Sequence, residues 1–94
     1  MRYVADPEKE RLNLAKHHLS LLDGVKVLQQ PVELLWTHLD SRQREERWIS
    51  FGPHPELPLV LMVVYHFRKD DEIRLISTRK ATPAERKRYA NRHR

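Results

Sequence analysis

The sequence predicts a single α+β domain: a short opening strand, two helices, a four-stranded antiparallel meander and a C-terminal helix. Three observations predict it. Apolar residues recur at spacings of three and four up to residue 28, strand-like runs replace that period from residue 32, and Thr82-Pro83-Ala84-Glu85 restarts a helix near the end. Ninety-four residues with 39% apolar content suffice for one compact domain spanning 1–94 and leave no room for a second.

The first expected element is a strand, Arg2 to Ala5. Asp6-Pro7-Glu8 then reads as a helix start, since Asp6 can accept free amide hydrogens and Pro7 suits the first turn. Leu12, Ala15 and Leu19 form the expected inward stripe of this helix, with Glu8, Lys9 and Arg11 in water. Ser20-Leu21-Leu22-Asp23 is a second capping signal, and Leu21, Leu22, Val25 and Leu28 are the expected buried stripe of a helix that Pro31 ends. The expected strands are Val32 to Trp36, Arg47 to Phe51, Leu59 to Phe67 and Ile73 to Thr78. Continuous apolar character from Leu59 to Tyr65 marks a central strand covered on both faces. Thr82 and Glu85 make a capping box, with Pro83 at the first helical position.

Composition excludes several classes. The chain has no cysteine, which removes disulfide frameworks, thiolate metal sites and cysteine nucleophiles and makes the cytoplasm the expected compartment. No apolar run is long enough to span a bilayer, so no membrane partner is expected. No histidine pair has a convincing zinc spacing, and neither a metal nor another cofactor is expected.

The formal charge of +5 points to a polyanion, and its distribution is uneven. Residues 1–73 carry ten Lys or Arg against twelve Asp or Glu, a net of −2; residues 74–94 carry eight against one, a net of +7. The cations there are Arg74, Arg79, Lys80, Arg86, Lys87, Arg88, Arg92 and Arg94. A solvated helix whose cations complement its own dipole explains the tail but not Arg74 and Arg79 on a strand. Arginine's planar fork suits phosphate, so those two read as a phosphate clamp. Arg47, sharing a face with Ile49 and Phe51, is either a third member or half of an ion pair at the core's edge.

Arginine stays protonated, so any cleavage of a phosphodiester held there would need other groups to exchange protons. Lys16 and His17, at the end of the first helix, are the candidates, although each histidine of the His17-His18 pair also reads as a helix-ending polar residue. His66 is expected at the core's edge with a hydrogen-bond partner, and His38 and His54 in loops. Tyr89, four residues after Glu85, is expected to pack its ring inward with its hydroxyl at the cleft.

In order along the chain, Asp6-Pro7, Asn13, Lys16-His17, Glu46-Arg47, Gly52, Arg74-Leu75-Ile76-Ser77-Thr78-Arg79-Lys80, Glu85 and Tyr89 resemble the BrnT family of type II toxins. The resemblance implies a RelE-like α+β fold, an endoribonuclease that arrests translation, and a BrnA-type antitoxin. Such antitoxins carry a ribbon-helix-helix part, so contact with operator DNA would belong mainly to the partner. Carried onto this chain, the resemblance and the residue chemistry give Lys16, His17, Glu46, Arg47, Arg74 and Arg79 as catalytic candidates. Ser77, Lys80, Glu85, Arg86 and Tyr89 are candidates for RNA binding. The family's usual Gly after Lys-His is His18 here, and the acidic start of the second helix is reduced to Asp23. The competing reading is a nucleic-acid-binding module without catalysis, or an attenuated toxin acting as operon co-repressor; a docking surface for an acidic partner is compatible with either.

Overall fold

Asp6 starts the first helix as expected, its carboxylate accepting the Glu8 amide at 2.8 Å while Pro7 fills the first turn. The computed structural model describes residues 1–40, 46–68 and 71–93. Along them run β1 (Arg2–Val4), α1 (Pro7–His17), α2 (Leu21–Leu28), a 3-10 turn (Val32–Leu34), β2 (Trp36–Asp40), β3 (Arg47–Pro53), β4 (Val60–Arg68), β5 (Glu72–Lys80) and α3 (Pro83–Ala90). The strands form one sheet in the order β1-β5-β4-β3-β2. β2 to β5 are the expected antiparallel meander, and β1 adds in parallel to the outer edge of β5.

The first strand of the meander lies later than expected. Residues Val32–Leu34 curl into the 3-10 turn, with the Leu34 and Leu35 amides donating to the carbonyls of Pro31 and Val32. These local bonds satisfy the backbone before any strand partner is reached, so the strand starts at Trp36 and Val32 stays exposed.

β4 is central and covered on both faces, as its apolar run predicts. On one face Leu61, Val63 and Tyr65 pack with Leu75, Leu21 and Val27 beneath the two N-terminal helices. On the other, Val64 joins Ile49, Phe51 and Ala81, with Val60, Met62 and Tyr89 packed around them. β5 carries a bulge: Val64 pairs with Ser77 and Tyr65 with Leu75, so Ile76 is an extra residue. The bulge also decides which way two arginines face. Arg74 and Arg79 are five residues apart and would face opposite sides of a regular strand, but Arg74 opposes His66 and Arg79 opposes Met62, which share a face.

The buried stripes are partly those expected: Leu19 and Leu21 are buried and Val25 and Leu28 pack against the core, but other positions differ. In α2 the buried positions are Leu21, Gly24 and Val27, whereas Leu22 is 60% exposed. A Cβ at Gly24 would stand 2.3 Å from Thr78 Oγ1, so the missing side chain lets α2 lie close against the sheet. In α1, Leu12 and Ala15 are exposed and Asn13 is buried. The reason is the edge at which α1 meets the sheet. Beyond β1 the backbone of β5 has no strand beside it, and Asn13 supplies the missing partner: Nδ2 donates to the Thr78 carbonyl at 2.9 Å and Oδ1 accepts the Thr78 amide at 3.0 Å. A second bond, Nδ2 to the Leu19 carbonyl at 2.7 Å, ties the helix junction to the same point.

That junction turns through His18, which is left-handed at φ 58°. Glu10 accepts the Ser20 hydroxyl at 2.5 Å and the Leu21 amide at 2.7 Å, and Ser20 and Asp23 complete the expected capping box. Asp23 also accepts a hydrogen bond from His54, at 2.8 Å from Nε2. Because Nδ1 of His54 accepts the Glu56 and Leu57 amides, the ring proton must sit on Nε2. His54 is thus a loop residue, as expected, but a buried structural one.

Candidate nucleic-acid cleft

The second face of the sheet stays open over β2 and β3, because α3 crosses it only at the end where β2 begins and β5 finishes. Tyr89 fixes the helix there: its ring packs on the apolar cluster and its hydroxyl donates to the Leu34 carbonyl. A cleft of about 520 Å³ remains, floored by Ile49, Phe51, Met62 and Val64. Its polar rim comes from three elements. β2 contributes His38 and Asp40, β3 contributes Arg47, and the β5–α3 side contributes Arg79, Glu85 and Arg88.

The arginines of the rim are not equivalent. Arg79 donates Nη1 and Nη2 to the two Glu85 oxygens at 2.8 and 2.9 Å, and also reaches the Lys80 carbonyl at 3.0 Å and Met62 Sδ at 3.1 Å. Glu85 closes the capping box by accepting the Thr82 amide at 2.8 Å. The Arg79 hydrogen bond, aided by Thr82 and opposed by burial, holds the Glu85 carboxyl down at about 2. This pair is a fixed wall, already neutralised. Arg47 and Arg88 differ, since among the described residues no carboxylate pairs with either. The buried Nε of Arg47 has no hydrogen-bond partner. The ion pair considered for Arg47 from the sequence is therefore not seen among those residues.

His38, expected in a loop, stands on β2 and faces the cleft. Its ring lies 5.3 Å from Trp36 and is stacked at 6.0 Å on Phe51. Trp36, His38 and Asp40 alternate along β2 on one face, opposite Phe51, Ile49 and Arg47. That period-two pattern was present in the sequence, but a strand placed at Val32 to Trp36 stops short of it.

The expected proton-exchange pair lies next door. Lys16, His17 and His18 line a depression of about 490 Å³ with Arg79, Lys80 and Thr82, so Arg79 separates it from the cleft. Burial, followed by the charges of Lys16 and Arg79, lowers the proton affinity of His17. Ser77, displaced by the bulge, meets Lys16 and His17 in a smaller hollow nearby.

Other expected site residues are placed elsewhere. Arg74 faces the same side as Arg47 but lies 3.6 Å from Glu72, outside the cleft lining. The three-arginine clamp is thus not assembled in this structure. Glu46 is exposed and offers its carbonyl to His66 Nδ1 at 2.8 Å, which gives His66 the partner expected for it. Arg86 donates to the Ala81 carbonyl at 3.3 Å. The Tyr89 hydroxyl is used in anchoring α3 and does not meet the cleft. Glu45 and Arg94 lie outside the described residues. Among the described residues no group of three or more His, Asp or Glu is gathered as a metal site, and no helix is long and apolar enough to cross a membrane.

The α+β sheet leaves one face open and rimmed by arginines, a surface suited to a protein that takes a phosphate-bearing ligand. A family model described as the ribonuclease toxin BrnT of type II toxin-antitoxin systems matches residues 6–85, and the chain belongs to that family. Its class is therefore a ribonuclease toxin, with RNA as the substrate and an antitoxin as the partner that a type II system implies. The crystal structure of the Brucella abortus ribonuclease toxin BrnT, at 1.1 Å resolution, shares the fold: the TM-score is 0.64 at 21% identity, covering 87% of this chain and 97% of that one. Among curated proteins no relative matches.

Proposed function

We propose that the protein is a metal-independent endoribonuclease whose reaction takes place in the cleft between β2, β3 and α3. The observation that carries this reading is that Arg47 and Arg88, which pair with no carboxylate among the described residues, line one cleft with His38 over a floor of Ile49, Phe51, Met62 and Val64. Arg47 and Arg88 hold the phosphodiester and offset the charge that gathers on it in the transition state. The 2′-hydroxyl attacks phosphorus, a base takes its proton, and the 5′-oxygen leaves with a proton from an acid. The products are a 2′,3′-cyclic phosphate and a 5′-hydroxyl. His38 is the cleft residue whose ring chemistry suits both transfers. Glu85 stays a carboxylate and orients Arg79.

A second assignment rests on His17. Its lowered proton affinity favours the neutral, base-competent imidazole, and it reaches Arg79 from the adjoining depression. Cleavage lost in His38→Gln and kept in His17→Gln supports the first assignment; the reverse supports the second.

In the cell the proposed setting is the cytoplasm, where cleavage inhibits translation and a BrnA-type ribbon-helix-helix antitoxin neutralises the toxin and supplies the operator contacts. Purified protein should cut RNA in the presence of a chelator, leave DNA intact and produce cyclic phosphate ends. Arg47→Ala should reduce the rate by about 100-fold or more, in the range for removing one charge-stabilising donor. RNA left whole with and without ribosomes overturns the enzymatic reading in favour of a binding module or an attenuated co-repressor.

A further inference from the structure

Beside the cleft, on the outer side of α3, lies a second groove of about 390 Å³ lined by Trp36, Lys87, Arg88, Asn91 and Arg92. Two of these residues, Trp36 and Arg88, also line the cleft. The two hollows are therefore contiguous, with an indole and a guanidinium at the ridge between them. We propose that this groove binds the nucleotide next to the scissile phosphate, so that single-stranded RNA runs from the cleft across Trp36 and along α3. The proposal deepens the reading above, since it assumes that the scissile phosphate lies in the cleft.

The chemistry fits a single strand. Lys87 and Arg88 lie in the last turn of α3, and Asn91, its C-cap, and Arg92 follow in the turn beyond it, tied back by the Asn91 amide to Lys87 and the Arg92 amide to Tyr89. Lys87 and Arg88 are exposed, and among the described residues neither pairs with a carboxylate. Arg92 is held in place: its guanidinium lies 4.0 Å from the Tyr89 ring centroid and donates to the carbonyls of Tyr89 at 3.0 Å and Glu33 at 3.2 Å. Those neutral acceptors leave its charge uncancelled. Cations for the backbone beside an aromatic face for a base are the combination that single-strand sites use. Trp36 is half-buried against Phe51, with ring centroids 5.3 Å apart, so it is positioned before any base arrives. Asn91 adds an amide able to donate to and accept from a base edge.

Binding of non-cleavable 2′-O-methyl oligonucleotides of two and six residues to the full chain tests this without relying on catalysis. The hexamer should bind the wild type at least about 10-fold more tightly than the dimer, given the usual gain from stacking one base. Lys87→Ala combined with Asn91→Ala, both exposed, should cut that advantage to about threefold or less. It should also reduce the salt slope of hexamer binding by about one, the share of one phosphate contact. Trp36→Leu should reduce the advantage too; if that variant does not fold, the surface double variant still decides. Lys26→Gln, whose side chain pairs with Glu56 away from the groove, should leave the advantage intact. Equal affinity of the wild type for both lengths, or a full length advantage in the double variant, overturns the groove. An Arg47→Ala protein that still cleaves RNA overturns the cleft instead, so the two failures are distinguishable.

Discussion

The two faces of the sheet solve opposite problems. The face under α1 and α2 is closed: Leu61, Val63 and Leu75 are fully buried, Gly24 brings α2 close to the strands, and Asn13 completes the edge of β5. The face under α3 is apolar at its floor but ends in arginines, a histidine and carboxylates, with one helix fixed across one end. The closed face uses close packing to hold the sheet together. The open face carries cations that pair with no carboxylate among the described residues, which a protein built only for stability would pair or discard. On the proposed reading, stability and function are assigned to opposite sides of the same sheet.

Substitutions that respect this division separate stability from activity. The largest loss of stability is expected for Leu75→Ala on the closed face, about 2–5 kcal/mol in urea unfolding, because the deleted methyl groups leave a cavity. Gly24→Ala comes next, at about 1–3 kcal/mol, since its Cβ would be 2.3 Å from Thr78 Oγ1 and α2 must move away. If Gly24→Ala melts like the wild type, close helix–sheet approach is not what limits the closed face. Thr78→Val should be neutral or stabilising by up to about 1 kcal/mol, because the buried hydroxyl has no partner in the structure.

On the open face Arg47→Gln should change the unfolding free energy by less than about 0.5 kcal/mol while abolishing most RNA cleavage. A large destabilisation there would mean that Arg47 is structural. The smallest effect is pH-dependent and belongs to the wall between cleft and depression. Glu85 is held at about 2 against an ordinary 4.5, so its pairing favours the fold above pH 4.5 and is lost as pH falls toward 2. Glu85→Gln should accordingly melt slightly below the wild type at neutral pH, and the gap should close through that acidic window.

Among the open-face residues, legibility followed locality. That Arg47 shares a face with Ile49 and Phe51 is legible because those residues, two and four further on, mark the face by simple alternation. The capping box of Thr82 and Glu85 was equally readable, but not that Glu85 would also bind both arms of Arg79. The sequence puts His38 in a loop because nothing local shows that Pro31 starts a turn, which delays β2 by four residues. Arg74 and Arg79 were read as a pair, yet their common face depends on the bulge at Ile76, and Arg74 still stands apart beside Glu72.

The sequence by itself determined the helix starts, the central strand, the charge asymmetry and the family, since each is written in neighbouring residues or in their collinear order. Tertiary structure alone decided which cations, among the described residues, meet a carboxylate and which do not. Whether an arginine meets a carboxylate depends on strand register, on one extra residue in β5 and on where Tyr89 anchors α3. Those are long-range distances, and no local pattern contains them.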